Sequence, residues 1–158
     1  MIKPDAVEAA LTGEILAQIE RNGFVIQEMR MHRMSPGEAE LFYDAHRKRP
    51  FFHDLVEFMV SGPVVQLVLG HTDTQLDVIA AWRTCMGTTD PNKASIGTMR
   101  YIFGTDLQRN AVHGSDSPEA AAREITLCFP HLEDEAFLSE LHASYCADCP
   151  QEEDEVTE

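Results

Sequence analysis

"FVIQEMRMHRMSPGEAELFYDAHRK", Phe24 to Lys48, changes its hydrophobic period half way along. Up to Met34 the apolar residues Phe24, Ile26, Met29 and Met31 are interrupted by polar ones, the pattern of a half-buried strand. The extra residue between Ile26 and Met29 breaks strict alternation and predicts a β-bulge. Ser35 then offers a hydroxyl N-cap, and Pro36 is a first helical residue whose missing N–H is not needed there. A helix is therefore expected from Pro36 onward. A strand handing over to a capped helix is the recurring unit of a mixed fold, and the same alternation of periods continues on both sides.

Upstream, "LTGEILAQIERNG" places Leu11, Ile15, Leu16 and Ile19 at helical spacing, with Gly23 as a stop. Downstream, "PFFHDLVEFMVSG" reads as a short amphipathic helix, "PVVQLVLG" as a buried strand and "TQLDVIAAWRTCMG" as a helix. The Asp90-Pro91 pair marks a loop, "MRYIFGT" reads as a strand, and "SPEAAAREITLCF" is a helix capped by Ser117 and Pro118. Strands separated by helices, with one two-helix crossover, predict an α+β fold. The expected form is a ferredoxin-like split β-α-β sandwich, with a four-stranded antiparallel sheet covered by helices. "MIKPDA" supplies only two apolar residues before its proline, too few for a full first strand, so the natural chain is expected to begin upstream.

At 158 residues the chain suits one compact domain. No apolar run approaches the roughly 20 residues that span a bilayer, and no basic segment leads into an apolar one as in a secretion signal. Four cysteines, Cys85, Cys128, Cys146 and Cys149, are too few for a disulfide framework and point to a reducing compartment. The net charge is −15, but ten of the 27 acidic residues lie in 133–158, which has no Lys or Arg. The remainder carries 17 acids against 12 bases, or −5. The organisation expected is a domain over 1–132, a helical extension over 133–147 and a solvated, disordered acidic tail over 148–158. This balance argues against nucleic acid as a partner. A polyanionic small ligand would have to be held by a few well-placed bases.

Candidate bases are Lys3, Arg83 and Arg100, each of which alone reads first as a surface charge. Binding a phosphate chain needs several to converge, because its hydration must be replaced by charge-assisted donors. "RNAVHGSDS", Arg109 to Ser117, adds His113. Alone, this histidine reads as a partly buried, hydrogen-bonded imidazole. Gly114 permits close approach of a ligand, and Glu124 could orient one ring nitrogen, leaving the other as a nucleophile. "CADC", Cys146 to Cys149, has metal-ligand spacing with His142 upstream, but no second pair completes a zinc site. "HRKRP", His46 to Pro50, is a short basic run and reads as a solvated rim.

Taken together, "IKPDAV", "RPFF", "SGPVV", "MGTTDP", "GTMR" and "RNAVHGSDS" stand in the order found in nucleoside diphosphate kinases, and the chain resembles that family from Ile2 to about Pro130. The resemblance implies a ping-pong transfer of the γ-phosphoryl of a nucleoside triphosphate to a nucleoside diphosphate through a phosphohistidine. It implies His113 as nucleophile, Glu124 as the carboxylate that orients it and Ser115 as the hydroxyl supporting the pair. Lys3 and Tyr43 match groups on the transferring phosphoryl, and Asn110 the amide that meets the sugar. Arg83, Thr89 and Arg100 match the clamp on the outer phosphates, and Phe51 the aromatic that stacks on the base. Mg²⁺ is implied as a bridge between phosphates, held mainly by nucleotide and water.

Three departures accompany the resemblance: the short first strand, a longer "LGHTDTQLDVIAAWR", and Ile96 where many members carry proline in a loop that contacts neighbouring subunits. "RYIFGTDLQRNAVHGSD" is similar to the divergent eukaryotic branch that includes axonemal proteins. The expectation is an active cytoplasmic kinase that is a homo-oligomer or part of a larger assembly and meets no membrane. The alternative is a nucleotide-binding or structural domain within an assembly such as a ciliary axoneme.

Overall fold

The computed structural model describes residues 1–132. The expected helical extension over 133–147, the acidic tail and the Cys146–Cys149 pair lie outside the described residues. Helices α1 (Pro4–Glu8) and α2 (Thr12–Arg21) precede strand β1 (Phe24–His32); α3 (Pro36–Phe42) and α4 (Phe52–Val60) then lead to strand β2 (Val64–His71). Helices α5 (Val78–Met86), α6 (Met99–Phe103) and α7 (Pro118–Cys128) follow. No described helix is long and apolar enough to cross a membrane.

The Ser35 cap forms as a full capping box: Glu38 N–H donates to Ser35 Oγ at 3.3 Å, and Ser35 N–H donates to the Glu38 carboxylate at 2.7 Å. Ser117 caps α7 with its hydroxyl alone, accepting from Ala120 N–H at 3.1 Å with Pro118 next in sequence. Asp77 caps α5, so that helix starts later than its apolar pattern suggests.

β1 and β2 are antiparallel, and their register slips between Ile26 and Glu28, where the bulge is expected. The slip has a consequence for facing. Ile26 pairs with Leu69, Met29 with Leu67 and Met31 with Val65. Val65, Leu67 and Leu69 point to one face because side chains alternate along a strand. The bulge therefore returns Met29 and Met31 to the face of Phe24 and Ile26, although they remain 50% and 62% exposed. On that face Ile2, Ile15, Ile19, Phe24, Trp82 and Val112 form one buried cluster. On the other, Val64 and Val68 pack with Phe42, Met59, Ile125 and Phe129.

The four-stranded expectation is met only in part among the described residues, which hold two regular strands, with single bridges joining Ile2 to Val65 and Ile2 to Val112. These contacts line up Val112, Ile2, β2 and β1 in that order, with single residues standing where outer strands were expected. The "MRYIFGT" strand is also corrected. It is helix α6, because Met99 and Phe103, four residues apart, both bury while Tyr101 and Ile102 face out. Apolar residues at 99, 101, 102 and 103 fit both periods equally well. Arg100 thus sits on a helix rather than at a strand start.

Ile2 is fully buried and holds the sheet's third position alone. Replacing it with alanine should cost about 2–5 kcal/mol in denaturant unfolding. A loss below about 1 kcal/mol would show that the bridges do not carry the sheet.

Candidate active site

The chain enters the site through a tight turn. Val112 N–H donates to Asn110 O at 2.7 Å around Ala111, whose φ of +66° lies in the left-handed region. His113 follows, its N–H donating to Met1 O at 2.9 Å. Its imidazole is walled by Phe42 and Tyr43, edge-to-face at centroid distances of 5.0 and 5.6 Å. His113 Nε2 lies 3.0 Å from Glu124 Oε2, and Ser115 Oγ donates to the same oxygen at 2.8 Å. Helix α7, fixed by its Ser117 cap, presents that carboxylate.

Burial pushes the His113 pKa below its usual value, against the pull of Glu124. Burial pushes Glu124 up, but the hydrogen bonds from His113 and Ser115 outweigh it and hold the group below the usual carboxylate range. Near neutral pH the pair is a neutral imidazole beside a carboxylate. A carboxylate can only accept, so Nε2 carries the proton and donates it, and Nδ1 keeps its lone pair. An imidazole arranged in this way can attack an electrophile at Nδ1.

Lys3 is buried at the start of α1. Its ammonium donates to Asn110 Oδ1 at 2.8 Å and to the Gln108 carbonyl, and lies over the Phe58 ring at 4.9 Å. Burial lowers its pKa to about 8, partly offset by Asp5. Asn110 Nδ2 donates to Thr89 O at 3.0 Å and Leu107 O at 3.1 Å, so Lys3, Asn110 and the Thr89 backbone are linked. Arg100 donates to Gly87 O at 3.0 Å and Val112 O at 3.1 Å, joining the α5 exit loop to the His113 segment. Burial and then the charge of Arg83 lower its pKa. Its Nε is buried and has no partner among the described residues. Burial and the Glu124 charge both push the Tyr43 phenol up, so it stays protonated; its hydroxyl lies 3.6 Å from Met59 Sδ.

The structure brings His113, Glu124, Ser115 and Tyr43 together, and Lys3, Asn110 and Thr89 through hydrogen bonds. Arg100 braces them, and Arg83 is exposed within its electrostatic reach. Phe51 is 51% exposed and reaches the centre only through rings: Phe51 to His46 at 5.8 Å, His46 to Tyr43 at 6.4 Å, and Tyr43 to His113. Gly114 corrects one expectation. A Cβ there would meet the Trp82 indole at 2.3 Å, so protein packing rather than a ligand occupies the space. Phe42, Gln108 and Asp5 were not singled out from sequence. Each lies within a quoted stretch, Asp5 in "IKPDAV", Phe42 in the opening segment and Gln108 in "RYIFGTDLQRNAVHGSD". No group of three or more His, Cys, Asp or Glu among the described residues could hold a metal. The donors facing the site are cationic and suit phosphate oxygens, so a metal would have to arrive with its own anionic ligands.

A family model described as nucleoside diphosphate kinase matches residues 1–133. A protein of that name from Nitrosospira multiformis is 53% identical over 133 residues, covering 84% of this chain and 91% of the relative. One from Geobacter sp. strain M21 is 50% identical, covering 84% and 94%. Among solved structures, the Aquifex aeolicus nucleoside diphosphate kinase aligns with a TM-score of 0.77 at 46% identity, covering 84% of this chain and 93% of that one. The Halobacterium salinarum enzyme in complex with CDP gives 0.75 at 37%, covering 81% and 83%.

With the Lys3 ammonium as the expected partner of phosphate charge, kcat/KM should fall as pH rises through about 8. Lys3→Met, slower throughout, should lack that alkaline limb. An unchanged limb in the variant would assign it to another group.

Proposed function

The chain belongs to the nucleoside diphosphate kinase family, and from that premise we infer how its own residues move a phosphoryl group. The enzyme is a phosphotransferase that passes the γ-phosphoryl of a nucleoside triphosphate to a nucleoside diphosphate. The observation that carries the reading is the His113–Glu124–Ser115 arrangement, with one ring nitrogen held and the other available.

In the first half-reaction His113 Nδ1 attacks the γ-phosphorus, the bond to the bridging oxygen breaks, and the diphosphate leaves with that electron pair. The ring gains positive charge, which Glu124 meets through the Nε2 proton. In the second, a terminal oxygen of the acceptor diphosphate attacks the phosphorus and the N–P bond breaks, restoring His113. Lys3 and Tyr43 serve the transferring phosphoryl, and Arg83, Thr89 and Arg100 the outer phosphates. Asn110 serves the sugar hydroxyl, and Phe51 stacks on the base at the rim. Stacking on a ring face with few base-edge contacts tolerates any base. Phosphoryl transfer asks chiefly for such positioning and charge stabilisation.

A divalent cation accompanies the nucleotide, and Mg²⁺ is the ion we assign, neutralising phosphate charge while held by the phosphates and water. The half-exposed Met29 and Met31, with Ile96 at 85% exposure, support contact between copies of the chain. Cys85 and Cys128, unpaired among the described residues, support a reducing setting, which suits the cytoplasmic reading and the axonemal alternative alike. The full polar set at the site favours catalysis over a binding-only domain in a larger assembly. Residues 1–132 form the catalytic domain in this reading. In the same reading the acidic 148–158 contributes nothing to transfer.

His113→Ala should abolish transfer while nucleotide affinity stays within about tenfold, roughly 1.4 kcal/mol. Full activity in that variant would remove the reading. Arg100→Ala should weaken ADP and ATP by about 1.5–3 kcal/mol more than the bare nucleoside in titration calorimetry. Equal losses would take Arg100 out of the phosphate clamp. A chain ending at Ala147 should keep its rate at physiological salt, where charges beyond about 10 Å are screened. A large loss would give the acidic segment a catalytic part.

A further inference from the structure

Asp5, so far only a charge near Lys3, also reaches across the chain to the residue on which the His113 segment turns. Its Oδ2 accepts from Ala111 N–H at 3.0 Å. The Ala111 carbonyl accepts from Lys3 N–H at 2.8 Å, so both polar groups of Ala111 are held from the start of the chain. Ala111 is the centre of the three-residue turn and is fully buried with φ +66°, a conformation that costs any residue with a Cβ. A strained turn persists only where its surroundings over-determine it. Here the restraint is legible: one carboxylate and one backbone N–H. The second Asp5 oxygen, Oδ1, is buried with no partner among the described residues. Burying it opposes folding, so the contact to Ala111 is made against a cost.

The turn sets two directions. On its N-terminal side Asn110 is aimed at Lys3 and Thr89. On its C-terminal side Val112 bridges to Ile2 and His113 meets Glu124. Were Ala111 to relax to an ordinary negative φ, Asn110 and His113 could not both keep those partners.

We propose that Asp5 is a positioning residue for phosphoryl transfer: by accepting the Ala111 N–H, its carboxylate holds the left-handed turn that aims Asn110 at Lys3 and His113 at Glu124. The inference rests on His113 being the phosphorylated group. Labelling of the unsubstituted protein by ATP tests that premise separately: no label at His113 would sink the functional reading before any variant is made.

The test is the single-turnover rate of phosphorylation by ATP in Asp5→Ala, Asp5→Asn and Asp5→Ala/Ala111→Gly, each with its melting temperature. Asp5→Ala should slow the step by roughly thirtyfold, the equivalent of one lost charge-assisted hydrogen bond. Asp5→Asn keeps an acceptor oxygen and should stay within about fivefold of the unsubstituted rate. Glycine enters the left-handed region without strain, so the double variant should regain at least about fivefold over Asp5→Ala. A residue that merely stabilised α1 would gain nothing from that glycine. Asp5→Ala at the full rate, or a double variant no faster than Asp5→Ala, would overturn the proposal. Should Asp5→Ala not be recovered folded, Asp5→Asn decides: a loss beyond about tenfold with unchanged melting would also overturn it.

Discussion

One carboxylate oxygen organises the reactive centre. Glu124 Oε2 accepts from both His113 Nε2 and Ser115 Oγ in a partly buried setting. A buried imidazole resists positive charge, and the N–P bond of the proposed transfer would put such charge on it. The hydrogen-bonded anion offsets that resistance at the atom where the charge is shared. The same contact fixes which nitrogen carries the proton, so orientation, tautomer and charge compensation follow from one interaction. It exists because Ser117 and Pro118 start α7 in register, and because Phe42 and Tyr43 close the other side of the ring.

The second constraint is the way the first residues are threaded. Met1 O, Ile2 and Lys3 N–H are tied to His113, Val112 and Ala111 respectively, while Ile2 also bridges to β2. Sheet, turn and cationic pocket are thus assembled from one short segment. In a protein of net charge −15 the pocket is positive only locally, from Lys3, Arg100 and Arg83. Burial lowers the pKa of both Lys3 and Arg100, so their charges are poorly hydrated and gain most when an anion arrives. The Arg100 bonds to Gly87 O and Val112 O keep that charge in place beforehand, which in its proposed role spares the nucleotide the cost of ordering it.

Local rules were the legible part of the sequence. The Ser35-Pro36 and Ser117-Pro118 starts and the bulge after Ile26 rest on the chemistry of adjacent residues, and all form as expected. "MRYIFGT" was misread because Met99, Tyr101 and Phe103 satisfy alternation while Met99 and Phe103 equally satisfy a helical turn. The contact that decides between them is tertiary. The site was legible only through the motif resemblance. Lys3 meets Asn110 across more than 100 positions, and no spacing rule reports that. Asp5 and Phe42 were passed over for the same reason, since each acts through a distant partner, Ala111 or His113. Among the described residues the outer positions of the expected four-stranded sheet are held by single bridges at Ile2 and Val112: pairing is present there, but strand length is not.

The central claim is that Glu124 holds His113 Nε2 and leaves Nδ1 to take the phosphoryl group. The most direct measurement is the phosphohistidine isomer formed when the protein is incubated with ATP, read by proton–phosphorus correlation NMR on the intact phosphoenzyme. Phosphorus coupled through Nδ1 of His113 is the expected result. Phosphorus on Nε2, or on another residue, would contradict it, because that nitrogen could not then be donating to Glu124.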